Sequence, residues 1–201
     1  MRLIGCVIIS LLCCFHGNAQ EKAIILKNVN VVDVVEGSIR KGQDVVIKKG
    51  IIQAVGKGAG TGVSGEVKDL TGMYVMPGLI DAHVHIANDP KESQADRAKH
   101  LEYFLRHGVT SIRDAAGDAR VLRELKEGVQ QGKYLGPDIY YAAFMAGPAY
   151  FEGNDREKSM VEGWPEPYAP WMQCIRPDSD LDKAMEDAKE WGCTGVKIYG
   201  G

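Results

Sequence analysis

The sequence predicts an α/β fold in which a small all-β portion precedes strand–helix repeats of a parallel sheet. Two observations carry that reading. Short Val- and Ile-rich runs punctuated by glycine fill the chain up to Val75, and after Pro77-Gly78 apolar strands alternate with amphipathic helices. Composition sets the outer bounds: 201 residues, 45% hydrophobic, with a formal charge of −3. That balance is not basic enough for a nucleic-acid footprint and not polar enough for disorder. Nucleic acid is therefore excluded as an expected partner.

The first twenty residues stand apart. Arg2 precedes an apolar run from Leu3 to Phe15, and Gly17-Asn18-Ala19 follows. This is the pattern of a secretory signal peptide over residues 1–19, cleaved after Ala19 so that the mature chain begins at Gln20. The run is shorter than the roughly 20 residues a membrane-spanning helix needs, so no stable span is expected. A lipid anchor on Cys14 competes, but Leu12 and Cys13 suit the position before a lipidated cysteine poorly. The expected location is periplasmic or secreted. Cys6, Cys13 and Cys14 leave with the signal, and Cys174 and Cys193 flank a predicted helix from Pro177 to Trp191. A helix of that length, roughly 20 Å, exceeds the about 4.4–6.8 Å between the Cα atoms of a disulfide, so none is expected.

From residue 20 to residue 76 the expected elements are strands at Ile24 to Val34, Gln43 to Lys48, Ile51 to Val55 and Glu66 to Leu70. Lys49-Gly50 between two β-rich runs is a tight hairpin turn, and Gly56 to Gly65 is a loop. From residue 77 to residue 201 the expected strands are Leu79 to Ile86, Val109 to Arg113, Asp138 to Phe144 and Gly195 to Tyr199. Three helices separate them. The first, Ser93 to Arg106, has Ala98, Leu101 and Leu105 on one face and Ser93 with Asp96 as a capping pair. The second starts at Asp118, buries Val121, Leu122, Leu125 and Val129, and stops at Gly132. The third carries Leu181, Ala184, Met185 and Ala188, with Asp178 or Ser179 as its cap. A long connection, Met145 to Arg176, holds Tyr150, Phe151, Trp164, Tyr168 and Trp171. Such connections are usually functional or disordered, and one that follows a parallel strand emerges at the ligand-bearing face. It reads as a lid or substrate wall, against the alternative of a packed surface loop.

The run Val75-Met-Pro-Gly-Leu-Ile-Asp-Ala-His83-Val-His85 ends a buried strand in two histidines. Side chains at i and i+2 share one face of a strand, so both imidazoles can reach one metal ion. Spacing alone also describes a structural or exposed pair. His100 and His107 fall in and at the end of the first helix, away from the strand carboxyl ends, and read as structural or exposed. Asp81 reads as a loop-orienting or outer-layer residue, while Arg113 and Asp114 end the second strand with a site role and a structural role both open.

Pro77-Gly78-Leu79-Ile80-Asp81-Ala82-His83-Val84-His85 resembles the first-strand motif of the amidohydrolase superfamily, and the β-rich segment before it resembles that superfamily's N-terminal β domain. Gly108-Val109-Thr110-Ser111-Ile112-Arg113-Asp114 and Gly136-Pro137-Asp138-Ile139-Tyr140 resemble strands two and three of its imidazolonepropionase-like and prolidase-like branch, and Gly192-Cys-Thr-Gly-Val-Lys197-Ile-Tyr resembles strand four. The resemblance implies a β-sandwich portion followed by the first four strands of a (β/α)8 metal-dependent hydrolase barrel. It implies His83, His85 and Lys197 as metal-site residues, Lys197 as a carboxylated lysine able to bridge two cations, and one or two divalent ions, Zn2+ foremost. A solvated strand-end lysine is the other reading of Lys197. Carboxylation needs the neutral amine, which burial and nearby cations favour.

The resemblance also implies hydrolysis of a C–N bond in an amide, cyclic amide or dipeptide by a metal-activated water. The (β/α)8 barrel takes about 250 residues, so Pro77 to Gly201 is about half of one. The remaining family ligands, histidines on strands five and six and an aspartate on strand eight that moves protons, are not among these 201 residues. No catalytic acid or base is therefore assigned in this chain. The expected protein is a fragment of a longer enzyme and inactive alone, or an assembly half that needs a separate second half; a homo-oligomer is the other association left open. Its expected partner is a small-molecule or dipeptide substrate.

Overall fold

The computed structural model describes residues 22–89, 91–152 and 168–199. The expected signal peptide and Trp164 lie outside the described residues. The chain divides into two compact units between Pro77 and Gly78. Among the described residues, no helix is long and apolar enough to cross a membrane.

The first unit is one five-stranded sheet. Its strands are β1 (Ala23–Asp33), β2 (Ser38–Lys48), β3 (Ile51–Gly56), β4 (Gly65–Asp69) and β5 (Tyr74–Val75), in the order β3-β2-β1-β4, with β5 pairing β1 beyond β4. The β2–β3 hairpin closes where Lys48 faces Ile51. Its two turn residues, Lys49 (φ 53°) and Gly50 (φ 71°), both take the left-handed region that matches the twist of antiparallel strands. Strand β2 starts earlier than its apolar stretch suggests, because backbone pairing with β1 as far as Asp33↔Ser38 recruits the polar residues before Gln43. Ala23, Ile25 and Val46 form a small core with Ala54 and Ala59.

The second unit is built on the parallel strands β6 (Leu79–Val84), β7 (Val109–Asp114), β8 (Asp138–Ala146) and β11 (Gly195–Tyr199), in that spatial order. Helices α1 (Gln94–Arg106), α2 (Ala119–Gln130) and α4 (Leu181–Glu190) make the crossovers. The sheet and helices bury Leu101, Ile112, Leu122, Leu125, Ile139 and Tyr141 in one core, and Ala143 and Met145 pack on Ala184 and Ala188 of α4 in another. Helix starts follow their caps. Ser93 accepts the Asp96 N–H, Asp118 accepts the Arg120 N–H, and Asp180 accepts the Lys183 N–H. The last cap corrects the expected Asp178 or Ser179. Ser179 is occupied elsewhere, its Oγ accepting the Arg176 N–H at 2.9 Å and tightening the turn before the helix.

The described parts of the long connection carry regular structure. They hold α3 (Pro148–Glu152), β9 (Tyr168–Ala169) and β10 (Met172–Cys174). Strand β10 pairs parallel with Phe144 to Ala146 of β8, and β9 folds back antiparallel on β10. Strand β7 covers β8 only from Asp138 to Tyr141, so β10 takes up the edge that β7 leaves. Trp171, read as part of a substrate wall, is 1% exposed. Its ring lies 4.6 Å from Trp191 and 5.5 Å from the Arg120 guanidinium. It is a core residue on the helix side of the sheet. Cys174 and Cys193 are free thiols. Burial pushes the Cys193 thiol up to about 11.

Candidate metal centre

Strand β6 does not deliver its histidines by plain alternation. Asp81 pairs with Ile112 and Val84 with Asp114, so three steps on β6 oppose two on β7. The extra residue makes a β-bulge, a device that re-aims side chains beside functional sites. The Asp81 carboxylate stabilises it locally by accepting the His83 N–H at 3.1 Å. Arg113 Nε donates to the Ala82 carbonyl at 3.0 Å, satisfying an acceptor next to the bulge. The result is that His83 and His85 lie edge to face with ring centroids 5.2 Å apart, both exposed.

The loop after β6 is held just as firmly. Asp114 is fully buried and accepts three backbone N–H groups: Ile86 at 2.7 Å, Ala116 at 3.1 Å and Gly117 at 2.6 Å. Ala115 N–H donates to the Val84 carbonyl and Asp118 N–H to that of Ala87, so the loops after β6 and β7 are laced together on both sides of His85. A methyl group on Gly117 would meet Asp114 Oδ1 and the Ala87 Cβ, both at 2.8 Å, and a side chain there would push the loops apart. Of the site and structural roles left open for Arg113 and Asp114, the contacts of both are structural ones.

The imidazoles fit a divalent cation by donor chemistry. The Asn88 side-chain amide sits 3.1 Å from His85 Nδ1. As placed, Asn88 Nδ2 faces the ring nitrogen; with the amide turned over, its oxygen accepts from Nδ1–H and the Nε2 lone pair is left for a metal. Asn88 was not legible as a site residue beforehand. Its signal was a polar side chain three residues past His85 in the loop at the strand end.

Lys197 sits on β11 opposite Phe144 and is half-buried. It is the middle residue of the fourth parallel strand, with β7 and β8 between that strand and β6. Among the described residues no three His, Cys, Asp or Glu side chains converge as a complete cation site. The structure thus brings His83 and His85 together and leaves Lys197 on β11, with two strands between. His100 and His107 do not join them: His100 Nδ1 is 3.0 Å from Glu92 Oε1 and His107 Nδ1 is 2.8 Å from the Tyr103 carbonyl, both on α1 or its flanks.

Comparison with known proteins agrees with this architecture. The amidohydrolase family model matches residues 74–194. A dihydroorotase from Trichlorobacter lovleyi is 35% identical over 89 residues, which are 44% of this chain and 21% of that protein. An adenine deaminase from Listeria welshimeri is 33% identical over 96 residues, 47% of this chain and 15% of that protein. Among solved structures, a prolidase complexed with N-methylphosphonate-L-proline superposes with a TM-score of 0.67 at 25% identity, covering 89% of this chain and 47% of that one. The chain therefore spans about half the length of that solved relative, and its strands β6, β7, β8 and β11 correspond to a partial amidohydrolase barrel. The chain belongs to the amidohydrolase family.

Proposed function

We propose that this chain carries the first part of the metal centre of a hydrolase acting on C–N bonds, with His83 and His85 as ligands and Lys197, as a carbamate, as a bridging ligand. The observation that carries the reading is the bulged end of β6, which sets the two imidazoles 5.2 Å apart in a loop braced by Asp114. Zn2+ is the cation that imidazole donors suit best, and when bound it supplies Lewis-acid polarisation of a carbonyl and acidifies water. The neutral Lys197 amine would add its lone pair to the carbon of carbon dioxide and lose a proton, leaving an anionic oxygen donor. Relatives named as dihydroorotase, adenine deaminase and prolidase support a small amide, cyclic amide, amidine-like ring or dipeptide as substrate. Export directed by the apolar run from Leu3 to Phe15 belongs to the same proposal, and Gln20 as the first residue of the mature protein would support it.

The test is zinc binding by the purified chain in chelator competition, together with amine or ammonia release from a panel of dipeptides and cyclic amides once residues supplying the rest of a barrel are added. Zinc-dependent turnover that His85→Ala abolishes supports the proposal. Absence of both turnover and zinc binding overturns it.

A second reading, that the chain works only with a separate second half, is favoured by the open sheet face. Ile80 is 71% and Tyr140 45% exposed there, beside Ala82, Ser111 and Arg113 in one cleft. Turnover that appears only on mixing with residues supplying the rest of a barrel would favour it over activity of the chain alone.

A further inference from the structure

Beyond the metal ligands, the carboxyl ends of β8 and β11 carry an aromatic cluster separate from the helix-side core. Lys197 and Phe144 are direct partners on adjacent parallel strands, and in-register neighbours place their side chains on the same face. Tyr199 lies two residues past Lys197 and shares that face, one step nearer the strand end. Helix α3 begins after a single residue, Gly147, so Tyr150 and Phe151 are set directly over the end of β8. The ring centroids are close: Phe144 to Tyr150 at 4.8 Å, Tyr150 to Tyr199 at 5.2 Å and Phe144 to Tyr199 at 6.0 Å. Phe144 and Phe151 are 4% and 8% exposed and form the back of the wall, whereas Tyr199 leaves half its surface open.

We propose that Phe144, Tyr150 and Tyr199 form a specificity subsite that takes an apolar or aromatic side chain of the substrate, next to Lys197 and beside the scissile C–N bond. The proposal rests on the reading of Lys197 as a site residue. Among the described residues the three rings offer faces and edges, and Lys197 beside them is taken up by the cation on this reading, so a charged substrate side chain would lose water there without gaining a partner. An apolar one gains ring contacts and buries the open surface of Tyr199. A well-placed aromatic contact of this kind is worth about tenfold in binding.

The test measures binding of Phe-Gly, Gly-Phe and Gly-Gly to the full zinc-supplemented chain by saturation-transfer NMR titration. The proposal expects at least one phenylalanyl dipeptide to bind about tenfold more tightly than Gly-Gly. That ratio falls toward one in Tyr199→Ala and is restored in Tyr199→Phe, while Tyr103→Ala, on the exposed face of α1, keeps it. Equal binding of all three dipeptides, no binding of any, or a ratio unchanged in Tyr199→Ala overturns the proposal. Turnover without side-chain preference overturns the subsite and leaves the hydrolase reading standing. Side-chain-selective binding without turnover does the reverse.

Discussion

The buried carboxylate of Asp114 accepts the backbone N–H of Ile86 at 2.7 Å, one residue past His85 and 28 residues away in sequence. Through this bond the end of one strand fixes the loop that carries a metal ligand on its neighbour. Removing the carboxylate strands three backbone N–H groups, two buried and one part-buried, each buried one costing about 1–3 kcal/mol. Asp114→Ala should therefore lower unfolding stability by about 3–5 kcal/mol, read from urea denaturation. Asp114→Asn, which keeps one acceptor oxygen, should lose less. A loss within 0.5 kcal/mol for Asp114→Ala, about the scatter of ordinary surface substitutions, would show that the loops hold without it.

That relationship also shows what a sequence can and cannot tell. The capping pair Ser93 and Asp96 and the Lys49-Gly50 turn are local patterns whose physics is complete within a few residues, and both are present in the structure. The bulge under His83 is different, because it exists only in the pairing of β6 with β7. Asp114 had two readings until its three partners on two loops were in view. Trp171 misled for the same reason: loop composition suggested a ligand wall, whereas packing against Trp191 on the helix side decided its place.

Asn88 should matter to metal affinity although it is no ligand. Outer partners that orient a ligating histidine are typically worth about 10–100-fold in metal affinity. Asn88→Ala is expected to weaken zinc binding by about tenfold in a chelator-competition titration, with little change in the unfolding midpoint. Unchanged zinc affinity would remove Asn88 from the site.

Trp171 should behave as core and not as site. Trp171→Ala is expected to cost about 3–5 kcal/mol of stability, the usual price of emptying a buried tryptophan position. Zinc affinity measured below the unfolding transition should stay at the parent value. A variant of normal stability that binds substrate dipeptides poorly would return Trp171 to the substrate wall.

Cys193 links stability to pH. Its thiol rises from 9.0 to about 11 on folding because burial disfavours the thiolate. The raised value stabilises the folded state fully below about pH 9, and that contribution is lost as pH rises through about 11. The unfolding midpoint of the parent chain should thus fall more steeply between these values than that of Cys193→Ala. Parallel pH profiles would contradict a part-buried thiol whose ionisation burial disfavours.

The most direct test of the central claim is isothermal titration of zinc into the parent chain, His83→Ala, His85→Ala and Lys197→Ala. The account predicts saturable binding by the parent chain and a loss of about 100-fold or more in each histidine variant, at or beyond the upper end of what an outer partner contributes. Lys197→Ala should bind fewer ions or bind them less tightly. Zinc binding of parental strength in both His83→Ala and His85→Ala would contradict the metal centre at the end of β6.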